Sequence, residues 1–202
     1  HVNNINVKSV TCDFLMENPF YKNKNNNIDS YFYLNKLIEK CKELKISYII
    51  FPLVDNGKID NNDQEKNLIK QLVNPKIIDN LNSKILFESD FNPIKLKKFI
   101  SNFDRDFFGI NYDTGNSASL GYNIKEEFDC YYDRIENIHI KDRKLNSNSV
   151  KLGNGDFDFQ LFFKLLGNNG YLGNLIFQTA RDKNNFEIEN LEYNLSFIRK
   201  YL

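Results

Sequence analysis

Four residues stand where chemistry could be done jointly: Glu88, Asp113, His139 and Gln178. Each closes, or nearly closes, a short run rich in Ile, Val, Phe or Tyr, and each can ligate a cation or engage a proton. If those runs are parallel strands of one sheet, their carboxyl ends gather at one mouth, where residues distant in sequence meet. Carboxylate, imidazole and amide oxygen together suit Mn²⁺, Mg²⁺, Co²⁺ or Zn²⁺. Taken singly, each has a plainer role. His139, between Ile138 and Ile140, reads as a core histidine, Glu88 as a cap before Pro93, and Asp113 as a turn residue. Their joint placement at successive strand ends favours a site.

Around these four lie residues of less specific signal. Arg143 and Arg181 follow proposed ligands by a few positions, which places them at the rim of the mouth, as a clamp for phosphate or carboxylate or as surface ion pairs. Gly153 and Gly155, in Lys151–Asp156, precede a helix expected near Phe157; their N–H groups could receive a phosphate, with Asp156 as a simple N-cap the alternative. Cys12 would need a positioned His to act as a nucleophile, and the other His is terminal His1, so Cys12 reads as packing or pocket wall. Asp113-Thr114-Gly115 also matches the triplet of aspartic proteases, but those need a second carboxylate on an all-β fold, and no second DTG or DSG occurs.

The elements that must position these groups are legible as an alternation of short β-rich runs with longer amphipathic stretches, the pattern of βα units feeding a parallel sheet. Strands are expected over Val7–Phe14, Ser47–Leu53, Lys84–Glu88, Phe107–Tyr112, Asn137–Lys141 and Asn174–Phe177. Helices are expected over Ser30–Leu44, Asp60–Asn80, Pro93–Phe103, Ile124–Asp133, Phe157–Asn168 and Ile188–Leu202. Pro93 suits a first helical turn, and Gly167 and Gly170 suit helix ends. The Asn- and Lys-rich stretches Lys22–Asn27 and Asn61–Asn67 read as polar loops or solvated helix faces. No GxGxxG follows the first strand and no GxxxxGK[ST] occurs, which favours a barrel over a nucleotide-binding open sheet.

At 202 residues, with 41% hydrophobic and 27% charged, the chain is expected to form one domain spanning residues 1–202. Its 27 basic and 27 acidic residues cancel, so no global field draws it to nucleic acid or an anionic membrane. No apolar run is long enough to span a bilayer, and the first residues lack the charge and apolar core of a signal peptide. Three cysteines, Cys12, Cys41 and Cys130, with no CxxC pair argue against a disulfide framework or a cysteine zinc site, and point to a reducing, cytoplasmic setting. The chain starts at His1 with no polar lead-in, which suggests a fragment.

Several motifs together resemble a known family. Phe87-Glu88, Asn111-Tyr112-Asp113-Thr114-Gly115-Asn116-Ser117 with Leu120-Gly121-Tyr122, Asn137-Ile138-His139-Ile140-Lys141-Asp142-Arg143, Leu152-Gly153-Asn154-Gly155-Asp156-Phe157, and Gln178-Thr179-Ala180-Arg181 are similar, in order, to the sugar phosphate isomerase/epimerase family of xylose isomerase-like TIM barrels. The resemblance implies an α/β, TIM-type barrel cut to about six βα units, with the first two of eight missing. It further implies a divalent cation held by Glu88, Asp113, His139 and position 178, and isomerisation or epimerisation of a small sugar or sugar phosphate through an enediolate. Glu88 would be ligand and base, and Arg143 with Gly153–Gly155 would hold phosphate. Position 178 departs from the family, having Gln where the second glutamate stands, and an amide cannot serve as a base. Two alternatives remain open: an inactive metal- or sugar-binding barrel, and an abasic-site endonuclease-like barrel. A barrel lacking units would also expose apolar surface and associate with copies of itself.

Overall fold

The computed structural model of the protein describes residues 6–22, 28–181 and 186–202. Residues 23–27 of the polar stretch after Lys22 lie outside the described residues. The chain divides into two compact units, one of His1–Phe91 with Lys95–Ile110, the other of Asn92–Ile94 with Asn111–Leu202.

The first unit carries β1 (Ser9–Thr11), α1 (Asp13–Glu17), α2 (Ile28–Leu44), β2 (Tyr48–Leu53), α3 (Asn62–Leu72), α4 (Pro75–Ile78), β3 (Lys84–Ser89), most of α5 (Pro93–Ile100) and the start of β4 (Phe108–Asp113). Its strands run in the order β1-β2-β3-β4, with parallel pairing. β2 is buried along nearly its whole length, as a parallel strand covered on both faces must be. Phe87 sits at the centre of a ring cluster, its centroid 5.1 Å from Phe99, 4.9 Å from Phe103 and 6.0 Å from Phe108. α2 turns Leu34, Ile38 and Cys41 inward at helical spacing, all buried. Burial lifts the Cys41 thiol to about 11 and raises Cys12 as well, so both stay protonated at neutral pH.

Three expectations change in this unit. The expected strand Val7–Phe14 is cut to Ser9–Thr11, because the chain turns into α1 to bury Leu15. The expected helix Asp60–Asn80 divides in two. Asn61 caps α3 by accepting from the N–H groups of Asp63 and Gln64, but Pro75 has no N–H to continue it, so Asn74 caps a new turn at Lys76. The helix expected to reach Phe103 ends at Ile100.

The second unit carries the end of β4, then α6 (Thr114–Leu120), α7 (Ile124–Tyr131), β5 (Ile135–Ile140), the short hairpin β6 (Asp142–Arg143) with β7 (Ser149–Val150), α8 (Phe159–Asn169), β8 (Asn174–Phe177) and α9 (Glu187–Ile198). The order is β4-β5-β8, with β5 and β8 parallel and His139 opposite Ile176. α8 buries Phe159, Phe162, Phe163 and Leu166, and Tyr112 stacks on Phe162 with centroids 5.6 Å apart. Gly121 and Gly170, both at φ 67°, end α6 and α8 in the left-handed region that favours glycine. Gly167, expected at a helix end, lies inside α8. The expected start of α8 at Phe157 moves to Phe159, capped by Asp158 and not by Asp156. α6 and the hairpin have no counterpart in the expected element string. Among the described residues, no helix is long and apolar enough to cross a membrane.

Candidate functional site

Period-two geometry assembles the site in the second unit. Along β4, Asn111 and Asp113 share one face and Tyr112 takes the other; along β5, Asn137 and His139 share a face while Ile138 and Ile140 take the opposite one. The polar residues meet across the two strands. Asn137 Nδ2 donates to Asn111 Oδ1 at 2.7 Å, both residues being buried. One step nearer the strand ends, His139 Nδ1 lies 4.0 Å from Asp113 Oδ2, with side-chain exposures of 4% and 1%. One step further, Lys141 Nζ lies 3.3 Å from the same oxygen.

Asp113 divides its two oxygens between structure and site. Oδ1 accepts the Asn116 N–H at 2.9 Å and so caps α6, while Oδ2 faces Lys141 and His139. The carboxylate is thus oriented by the helix it starts. Thr114 Oγ1 accepts the Lys141 N–H at 2.9 Å and donates to the Lys141 carbonyl at 2.5 Å, holding the end of β5 against the start of α6.

The remaining expected residues are placed less favourably. Arg143 is held in place, with Nε donating to the Ser147 carbonyl at 2.9 Å and a terminal nitrogen donating to Asn116 Oδ1 at 3.1 Å. The N–H groups of Gly153 and Gly155 both donate to Asp142 Oδ2 at 2.9 Å, and that of Phe157 to Asp142 Oδ1 at 3.4 Å. The anion that this loop binds is therefore the protein's own carboxylate. The N–H groups expected to receive a phosphate thus serve Asp142, and a Cβ at Gly155 would lie 2.1 Å from Asp142 Oδ1. Asp156 accepts from the Leu145 N–H instead of capping a helix. Gln178 donates its N–H to the Ile140 carbonyl at 3.0 Å. By register it falls two positions beyond Ile176, on the face that carries His139, and is exposed. Arg181 is exposed. In the first unit, Glu88 is buried near the carboxyl end of β3, on the face opposite Phe87.

Two buried carboxylates were not singled out from sequence. Asp142 is fully buried, and burial raises its carboxyl despite the N–H groups of Gly155 and Gly153 that favour its charge. Glu127 accepts from Tyr112 Oη (2.7 Å), Ser117 Oγ (2.6 Å) and Tyr131 Oη (2.9 Å), and burial raises it too, against the pull of those three hydroxyls. The only hint of Asp142 in the sequence is the pair of glycines in Gly153-Asn154-Gly155, and Glu127 gives none.

Buried Asp113 and His139 offer an oxygen and an imidazole nitrogen 4.0 Å apart, a separation that two bonds of about 2.1 Å each can bridge. That donor pair fits a divalent cation. Parallel strands alternating with helices and following one another in chain order across the sheet, with polar groups at their carboxyl ends, are the pattern of the βα-barrel class. The family model for the xylose isomerase-like TIM barrel matches residues 22–201, and the chain belongs to that family. It is 28% identical over 127 residues to inosose dehydratase of Clostridium perfringens, which covers 54% of this chain and 41% of that protein. The matched region thus spans about two fifths of that relative's length. Among solved structures, the fold is similar to the IolI protein with a bound zinc atom (TM-score 0.72, 18% identity, 96% of this chain and 76% of that one). It is also similar to D-allulose 3-epimerase from Methylomonas sp. in complex with D-allulose (TM-score 0.72, 15% identity, 91% and 73%).

Proposed function

We propose that the protein acts on a small polyhydroxylated carbonyl compound, a sugar or a related ketone, by removing a proton from the carbon next to the carbonyl. The observation that carries this reading is the buried Asp113–His139 pair at neighbouring strand ends. Glu88, Asp113, His139 and the amide oxygen of Gln178 would hold a divalent cation, which when bound supplies Lewis acidity at the carbonyl oxygen. Glu88 is the residue we assign to take the proton, as a carboxylate at the end of its own strand. Gln178 orients the substrate and cannot return a proton from the other side, because an amide oxygen is too weak a base. One base suffices for isomerisation, and for the first half of an elimination.

Isomerisation is the first reading, and epimerisation joins it where solvent, and not Gln178, returns the proton to the opposite face. The match to inosose dehydratase favours a second, loss of water from the same carbon acid. A phosphate seated on Gly153 and Gly155 is not part of either, since their N–H groups serve Asp142. The test is the metal content of dialysed protein, wild type beside His139→Ala, followed by incubation with ketoses and cyclic ketones in D₂O. Near-stoichiometric metal that vanishes in the variant, with deuterium entering the substrate, is expected; a product lighter by one water would select dehydration. No metal in the wild type, or no exchange with any carbonyl substrate, would remove the proposal.

A further inference from the structure

Lys141 is a cation built onto Asp113. Its ammonium lies 3.3 Å from the oxygen that also faces His139. This lysine is not a mobile surface side chain brought there by chance. The Thr114 hydroxyl binds both its N–H and its carbonyl. A Cβ on Gly115 would lie 2.5 Å from Lys141 Cδ, 2.6 Å from Cγ and 3.0 Å from Cβ, so the stem crosses the start of α6 through space that any other residue would fill. The triplet Asp113-Thr114-Gly115 therefore acts on Lys141 in three ways: it accepts the charge, fixes the backbone and makes room for the stem. The side chain is 17% exposed, against 1% for Asp113, so it reaches from the solvent edge inward.

A buried carboxylate needs compensation from hydrogen-bond donors or a cation, and here the Asp113 oxygen that faces His139 has the Lys141 ammonium at 3.3 Å. Resting on the reading of Asp113 as a metal ligand, we infer that Lys141 is the resident counter-cation of that carboxylate, displaced when a divalent cation binds and then passed to an oxygen of the substrate. An ammonium and a divalent ion on one carboxylate oxygen repel each other, so they compete. Because the stem is held as far as Cδ, only the last carbon and the nitrogen are left to swing. The charge then stays at the site instead of leaving it. Lys141 is thus a positioning residue that sets metal affinity and makes substrate binding follow metal binding.

The test uses the whole chain and Mn²⁺ alone, with affinity read by competition with a chromophoric chelator and Tm read with and without the metal. Lys141→Met should bind Mn²⁺ about tenfold or more tightly than wild type, since the competing charge is gone. Its metal-induced rise in Tm should be larger, as linkage requires. Gly115→Ala, which keeps the ammonium but evicts the stem, should shift affinity in the same direction. Lys141→Arg should stay near wild type. If Asp113→Asn abolishes binding while Lys141→Met leaves both affinity and Tm shift unchanged, the inference is overturned and the metal reading stands. If neither wild type nor Lys141→Met binds Mn²⁺, both fall.

Discussion

Asp142 shows how one side chain can build a loop. Its two oxygens accept three backbone N–H groups, from Gly153, Gly155 and Phe157, which no helix or strand would otherwise satisfy. Removing the carboxylate leaves the buried Phe157 N–H and the part-buried N–H groups of Gly153 and Gly155 without their acceptor, and a buried loss of this kind costs roughly 1–3 kcal/mol. Asp142→Ala should therefore lower unfolding free energy by about 3 kcal/mol, read by urea titration. A loss below about 1 kcal/mol would mean that water replaces the carboxylate. Gly155→Ala should destabilise as well, since its Cβ would collide with Asp142 Oδ1. The same loop looked like a phosphate cradle in the sequence because glycines that admit an anion do not reveal whose anion it is.

At the scale of elements, Glu127 ties three of them together. From α7 it receives the hydroxyls of Tyr112 on β4, Ser117 on α6 and Tyr131 on its own helix. Its folded carboxyl is raised above the ordinary 4.5 by burial. Between the ordinary and the raised value the folded state binds more protons than the unfolded one, so stability falls as pH rises through that window and is level above it. Glu127→Gln should flatten this part of the Tm–pH curve, measured by calorimetry from mildly acidic to neutral pH. An unchanged slope would assign the dependence to another group. The element boundaries follow the same logic of local competition. Pro75 ends a helix that apolar spacing alone would continue, and Asp113 starts one where the residue types suggest only a turn.

Over the whole molecule, the described residues leave apolar side chains facing water near the end of the chain. Leu172 is 98% exposed and Ile188 74%, with Leu191 and Leu195 exposed on the same side of α9 at helical spacing. Exposed apolar side chains of this kind favour contact with another apolar surface. Self-association that grows with concentration is expected in sedimentation velocity, and Leu172→Lys with Ile188→Lys should reduce it without lowering Tm. Equal association in the double variant would direct attention to another face. The sequence alone determined the alternation of strand and helix, the four strand-end residues and the family, because period-two and helical hydrophobic patterns and ordered motifs are local properties of the chain. β8 was read to the residue, and Pro93 indeed opens α5. Only tertiary structure decided that Asp113 and Lys141 share a charge, that Gly153 and Gly155 serve Asp142, and that Glu127 collects three hydroxyls. Apart from Tyr131, one helical turn from Glu127, those contacts join residues 10 to 28 positions apart, and hydrogen-bond partners across such distances are chosen by how strands and helices stack, which no single stretch of residues encodes.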